Sequence, residues 1–216
     1  YRPLVLERGP ALDERIRAVS HFEKTGELNP NANIQFGEGG AGTFSDGKLT
    51  TRVGDPLCAF VTRAFLDHGA PADIAWRQKP HVGTDLLRDV IRSIRGEIES
   101  LGGEVRFNTA LTGLQIRNGA LTGIDTTAGS VACEQLILAV GHSARDTFAM
   151  LHELGLPLAC KPFSVGFRAE HLQTEIDKSL YHGAAGHPAL PKGEYQLSQH
   201  VSGGRCVYTF CMCPGG

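Results

Sequence analysis

The stretch Gly37-Glu38-Gly39-Gly40-Ala41-Gly42-Thr43-Phe44-Ser45-Asp46-Gly47-Lys48 places five glycines in twelve residues. Such density excludes a regular element. Glycine costs roughly 1 kcal/mol against alanine inside a helix, and it gives a strand no side chain to pack. The segment therefore reads as a loop whose backbone N–H groups can approach an anion or a ring without Cβ interference. Thr43 and Ser45 add hydroxyl donors, and Lys48 adds a charge suited to phosphate. It is not a Walker loop, because the G-K-[S/T] ending is missing. A flexible linker is the alternative, but linkers seldom mix a Phe44 with Asp46 and Lys48.

An α/β frame surrounds this loop. Tyr1 to Glu7 opens the chain as a strand, its apolar Leu4-Val5-Leu6 closed by an acid and by Gly9-Pro10. A helix is expected from Leu12 to Phe22 with Ile16 and Val19 inward. Asp55-Pro56 starts another, ended by Gly69. Thr84 caps the longest, in which Leu86, Leu87, Val90, Ile91, Ile94, Ile98 and Leu101 share a face. Glu104 to Phe107 follows as a strand, completing a βαβ unit. Asn118-Gly119 predicts a type I′ hairpin between Leu111 to Arg117 and Leu121 to Thr126, with a third strand near Val131. Leu136 to Val140 is uniformly apolar, as expected of a parallel strand buried on both faces. A helix over Ala144 to Leu154 comes next. Beyond Lys161 the strand candidates are Ser164 to Arg168, Tyr195 to Leu197 and Cys206 to Cys211. The boundary falls near Leu156 to Pro162, which divides the chain into 1–156 and 157–216.

Composition narrows the function by exclusion. A formal net charge of −2 leaves no electrostatic footprint for nucleic acid or anionic lipid. No apolar run approaches a membrane span. Six irregularly spaced cysteines do not make a secreted disulfide framework, which points to the cytoplasm.

Two further positions carry chemistry. Glu7 ends a hydrophobic strand, where a dinucleotide-binding fold holds the adenosine ribose on a carboxylate. That acid ordinarily lies about 20 residues beyond a G-x-G-x-x-G turn, and no such turn precedes it here. A solvated glutamate at a strand end is the alternative. Ala139-Val140-Gly141 would expose bare backbone at a strand's C-terminal edge, where α/β sheets bind ligands. A tight strand-to-helix turn explains the same residues.

The order of ribose acid, Gly-rich loop, βαβ strand, meander and Ala-x-Gly strand end resembles the FAD domain of glutathione-reductase-like flavoproteins. Longer strings narrow the resemblance to the bacterial FAD-dependent dehydrogenases. They are Asn33-Ile34-Gln35-Phe36 leading into the Gly-rich loop, Lys79-Pro80-His81-Val82-Gly83-Thr84-Asp85, Gly141-His142-Ser143-Ala144-Arg145-Asp146 and Cys211-Met212-Cys213-Pro214-Gly215-Gly216. The resemblance implies FAD as cofactor and an oxidoreductase activity of dehydrogenase type on an organic substrate. NAD(P)H or another electron carrier would be its partner. By position, Glu7 would hold the ribose and Arg8 would lie beside the adenine. Gly39, Gly40, Ala41, Gly42, Thr43 and Ser45 would run past the pyrophosphate and isoalloxazine. Leu111 would meet the adenine through its backbone, and Ala139, Val140 and Gly141 would pass close to the cofactor.

The implied architecture is α/β, a Rossmann-like FAD-binding domain without its first βα turn. A second, mostly antiparallel β or α+β region would begin a substrate or cap domain over the flavin. The chain thus reads as an internal piece of a longer protein. His142 is either a proton donor near the flavin or a histidine capping the next helix. Cys211 and Cys213 are either a redox dithiol facing the flavin or small buried residues at a strand end. A zinc site would need four ligands, and one C-x-C offers too few, so no metal is expected. A non-catalytic scaffold and a Cys/His metal module are the competing classes.

Overall fold

The computed structural model describes residues 2–210 and 212, except 46, 50, 52, 78 and 79. The chain forms two compact units, residues 1–158 and 159–216.

In the first unit, β1 (Leu4–Leu6) pairs in parallel with β2 (Glu104–Arg106), Val5 opposite Val105. A long crossover joins them. It contains α1 (Leu12–Thr25), a 3₁₀ turn at Gly40–Phe44, α2 (Leu57–Asp67), a second 3₁₀ turn at Ala72–Ala75, and α3 (Thr84–Ser100). The apolar core sits under this crossover: Ala70, Ile74, Val82, Leu87 and Val90 are buried, with Phe65, Leu66, Ile91 and Ile94 packed against them. The stripe of α3 thus faces the core at Leu87, Val90, Ile91 and Ile94, while Leu86 near its start and Leu101 just past its end remain exposed. Asp55 caps α2 by accepting a 2.8 Å hydrogen bond from the Leu57 N–H. Thr84 behaves otherwise. Its hydroxyl leaves its own helix and donates to the Ser45 carbonyl at 2.7 Å, tying α3 to the Gly-rich loop.

A three-stranded antiparallel meander comes after β2: β3 (Leu111–Arg117), β4 (Ala120–Thr126) and β5 (Gly129–Ala132). Arg117 pairs with Ala120, and Asn118 and Gly119 between them hold φ of 52° and 78°, the positive values a type I′ turn requires. The helix α4 (Arg145–Glu153) closes the unit.

Among its described residues the second unit holds one α-helix, α5 (Gln173–Tyr181), a 3₁₀ turn at His182–Ala184 and an antiparallel pair, β6 (Ser198–His200) with β7 (Cys206–Tyr208). Asp177 on α5 accepts from the Gly193 N–H at 2.7 Å and pins the long loop before the pair. The protein is therefore mixed α/β, built on small sheets, with no closed barrel among the described residues.

Several expectations fail. Leu136 to Val140 is irregular and not a buried strand; Ile137 is 91% exposed. A fully buried parallel strand needs a hydrogen-bonded neighbour on each side, and no described strand lies against this segment. Ser164 to Arg168 is likewise unpaired, with Val165 and Phe167 in solvent. Tyr195 to Leu197 precedes β6 instead of forming it, and β7 stops at Tyr208. On α1 the buried residues are Leu12, Arg15 and Val19, so Val19 faces inward as expected while Ile16 is only half-buried. The helix α5 arises where the sequence pattern points only to strands and loops.

Candidate functional site

The parallel pair sets the site's floor. Beyond β1 the ladder continues, since the Glu7 N–H donates to Arg106 O at 2.9 Å and Thr109 N–H donates to Glu7 O at 2.9 Å. This fixes Glu7 at the C-terminal end of β1. One carboxylate oxygen, Oε1, accepts from the Gly9 N–H at 2.8 Å and from the Gly37 N–H at 3.1 Å. Oε2 accepts no hydrogen bond from the described residues. The strand end is thus stapled to the start of the Gly-rich loop. Gly9 permits this approach: a Cβ there would lie 2.5 Å from Asn31 O and 2.6 Å from Gly37 Cα.

Arg15 of α1 organises that loop from beneath. It is 0% exposed. Its Nε donates to Asn33 O at 2.9 Å, and its Nη1 donates to Gly37 O at 3.2 Å and Glu38 O at 2.6 Å. Its stem fills the space that a Cβ on Gly37 would need. Burial lowers its pKa to about 10, opposed by the charges of Glu7 and Glu38. The guanidinium carbon lies 4.8 Å from the Phe44 ring centroid, and that of Arg88 lies 5.1 Å from the same ring. Glu38 is buried too. Its Oε2 accepts from the Leu12 N–H at 2.7 Å, closing the start of α1. Its Oε1 lies 2.7 Å from Arg95 Nε, an ion pair whose angle falls outside hydrogen bonding.

The expected cofactor contacts divide on this geometry. Thr43 is fully buried and gives its hydroxyl proton to Glu38 O at 3.1 Å, so it faces the protein interior. Gly39 has no room for a Cβ beside Thr43 and Ile91. Gly40 and Gly42, in contrast, have nothing within 4 Å of that position, and Ala41 is exposed. Ser45 donates to Gly42 O at 2.8 Å and accepts from the Gly47 N–H, a local turn at the surface. Leu111 begins β3, half-buried, opposite Thr126.

The segment around Ala139, Val140 and Gly141 lacks strand structure, yet the residues just after it reach the β1 end. Ser143 Oγ donates to Gln35 Oε1 at 3.1 Å. Arg8 pairs with Asp146 in the first turn of α4, and its guanidinium lies 4.7 Å from the Phe36 centroid. The hydrogen bond from Arg8 holds the Asp146 carboxyl below its ordinary value. Arg8 is therefore engaged in the protein and does not stand free. His142 is exposed between these ties. Cys211 and Cys213 lie outside the described residues. Among those described, no three His, Cys, Asp or Glu side chains are grouped to hold a metal ion, and no helix is long and apolar enough to cross a membrane.

Glu7, Arg8, Gln35, Phe36, Gly37, Ser143 and Asp146 thus meet at one sheet end. Sequence reasoning gives Arg15 and Asp146 no role. The only trace of Arg15 is a charged residue at helical spacing from the buried Leu12 and Val19.

Comparison with known proteins gives this arrangement a context. Residues 162–216 match the family described as FAD-dependent protein, C-terminal domain-like. That match supports a FAD-dependent family and hints at a flavoprotein. The chain is also 48% identical over 217 residues to an uncharacterised protein of Clostridium beijerinckii. The match takes in the whole of this chain but 41% of that relative's length.

Proposed function

We propose that the chain is part of an FAD-dependent oxidoreductase of dehydrogenase type, which passes a hydride or electrons from an organic substrate through the flavin. In this reading residues 1–156 belong to a Rossmann-like FAD-binding domain, and residues 157–216 begin a substrate or cap domain. The observation that carries it is Glu7: a carboxylate at the end of a parallel strand, one oxygen bonded to the loop and the other without a hydrogen bond from the described residues. Such an oxygen suits the hydroxyls of an adenosine ribose. The family match at residues 162–216 points to the same cofactor.

The residues fit that group unevenly. Glu7 would hold the ribose, with the backbone of Leu111 toward the adenine. Gly40, Ala41, Gly42 and Gly141 would let backbone approach the pyrophosphate and ring, since the space where Gly40, Gly42 and Gly141 would carry a Cβ is open. Thr43 and Gly39 would support the loop from below. FAD, when bound, supplies the redox chemistry, and the protein positions it and tunes its electronics. His142, Cys211 and Cys213 remain candidates for moving a proton on the substrate side, with NAD(P)H or another carrier as electron partner.

Glu7→Gln in the full-length protein tests this. The amide oxygen can still serve Gly9 and Gly37, while the charge offered to the ribose is lost. FAD affinity, measured by titrating the apoprotein, should fall by about 1.5–3 kcal/mol. Equal affinity in variant and parent would remove Glu7 from the site. A paired test concerns the glycines. Gly42→Ala should leave the fold as stable or stabilise it by about 0.4–1 kcal/mol, yet weaken FAD binding. Gly37→Ala, at φ 115° against the Arg15 stem, should unfold the loop. If Gly42→Ala binds FAD normally, the cofactor does not pass close to that residue.

A further inference from the structure

We infer that Arg88 is an anion receptor at the end of the Gly-rich turn, where its guanidinium takes an oxyanion of the carboxylate or phosphate type. That oxyanion is the acidic group of an organic substrate or the phosphate of a bound cofactor, two sources that experiment separates. The inference goes beyond the reading of Glu7 and does not depend on it.

The helix α3 carries three arginines, Arg88, Arg92 and Arg95, whose spacing of four and then three residues puts them on one side of it. Two of them have carboxylates. Arg92 bonds to Asp13 and Asp89, and Arg95 pairs with Glu38. Arg88 makes no hydrogen bond or ion pair among the described residues, and its guanidinium carbon lies 5.1 Å from the Phe44 ring centroid. The residue is half-buried, and its Nε is closed to solvent without a partner. A buried donor left unmatched is uncommon in folded proteins and marks a place where an acceptor belongs. The ring holds the cation by a cation–π contact but does not neutralise it.

The surroundings favour an anion there. Arg15 meets the same ring at 4.8 Å, yet it is fully buried and committed to three carbonyl oxygens. It adds positive charge without competing for the ligand. The buried carboxylate of Glu38 is already engaged by the Leu12 N–H and Arg95. The turn leaves room, because Ala41 and Gly42 are exposed and nothing lies within 4 Å of a Cβ placed on Gly40 or Gly42. One turn before Arg88, the Thr84 hydroxyl bonds to Ser45 O and fixes the helix against the loop. A planar guanidinium suits either oxyanion, since its parallel N–H groups can meet two oxygens at once.

The test uses the full-length protein freed of flavin, with succinate and inorganic pyrophosphate as probes in isothermal titration. The parent should bind at least one of them, and Arg88→Gln should weaken that binding at least about tenfold. Arg88→Lys keeps the charge and loses the fork, so it should fall between the two. Circular dichroism checks that each variant folds; Arg88→Met, which keeps an apolar stem on Phe44, replaces Arg88→Gln should that protein fail to fold. Repeating the titration with FAD present separates the sources. A probe that FAD displaces stands for the cofactor's phosphate, and one that still binds stands for an acidic substrate. Folded Arg88 variants that bind both probes as the parent does overturn the inference, and so does a folded parent that binds neither. Neither result touches the FAD reading, which falls only if the parent fails to bind the flavin.

Discussion

Arg15→Met is expected to destabilise the first unit by about 1–3 kcal/mol. The side chain serves three buried carbonyl oxygens, of Asn33, Gly37 and Glu38. Gly37 O keeps the Gly40 N–H and Glu38 O keeps the Thr43 hydroxyl, so Asn33 O is the acceptor left without a partner among the described residues, at a cost of about 1–3 kcal/mol. Methionine would fill much of the same volume and remove a buried charge, which offsets part of that loss. The lowered pKa of Arg15 reflects the burial cost in question. Its sign makes a separate statement. The unfolded chain binds the proton more tightly, so this group makes the fold more stable as pH rises above about 10. Denaturant titration of parent and variant gives the answer. A difference under about 0.5 kcal/mol, typical of an innocuous surface site, would sink the claim that Arg15 holds the loop.

A second large effect concerns association. Produced as residues 1–216 alone, the chain is expected to self-associate as concentration rises. Within the first unit, β1 is paired with β2, and no described strand pairs its other edge. Leu136 to Val140 in that unit holds Ile137 in solvent. Within the second unit, Phe163, Val165 and Phe167 alternate along an unpaired segment and are all exposed. Unpaired edges and strand-like apolar runs are templates for intermolecular pairing. Lysine at Ile137 and at Phe167 should shift sedimentation profiles toward monomer. A parent that stays monomeric at high concentration would show that these surfaces are shielded in solution.

The legible part of the sequence was local. Asn118-Gly119 specifies its own turn through two residues that tolerate positive φ, so the hairpin could be read directly. The same holds for α3, whose periodic Leu87, Val90, Ile91 and Ile94 carry the core, and for the parallel placing of Glu104 to Arg106 after it. Arg15 was illegible because its value comes from carbonyls 18 to 23 residues away. A charged residue also contradicts the pattern that marks a buried face. Leu136 to Val140 misled for the opposite reason. Its composition states a preference for burial, but burial of a strand depends on neighbours that composition cannot supply. Glu7 lay between these cases: its place at a strand end was visible, while its bonds to Gly9 and Gly37 depend on how the loop returns.

Those two bonds bear on how quickly and cheaply a ligand could be received. Because the loop is already drawn to the strand end by Oε1, a nucleotide meeting Oε2 would find that loop already in place. It need not spend binding energy on ordering that segment, a cost that otherwise runs to about 0.5–1.5 kcal/mol for each immobilised side chain. The carboxylate works as a hinge pin that is set before the guest arrives, so loss of its charge and loss of its geometry should appear as separable thermodynamic signatures. The first would lie chiefly in enthalpy and the second in the entropy of ordering.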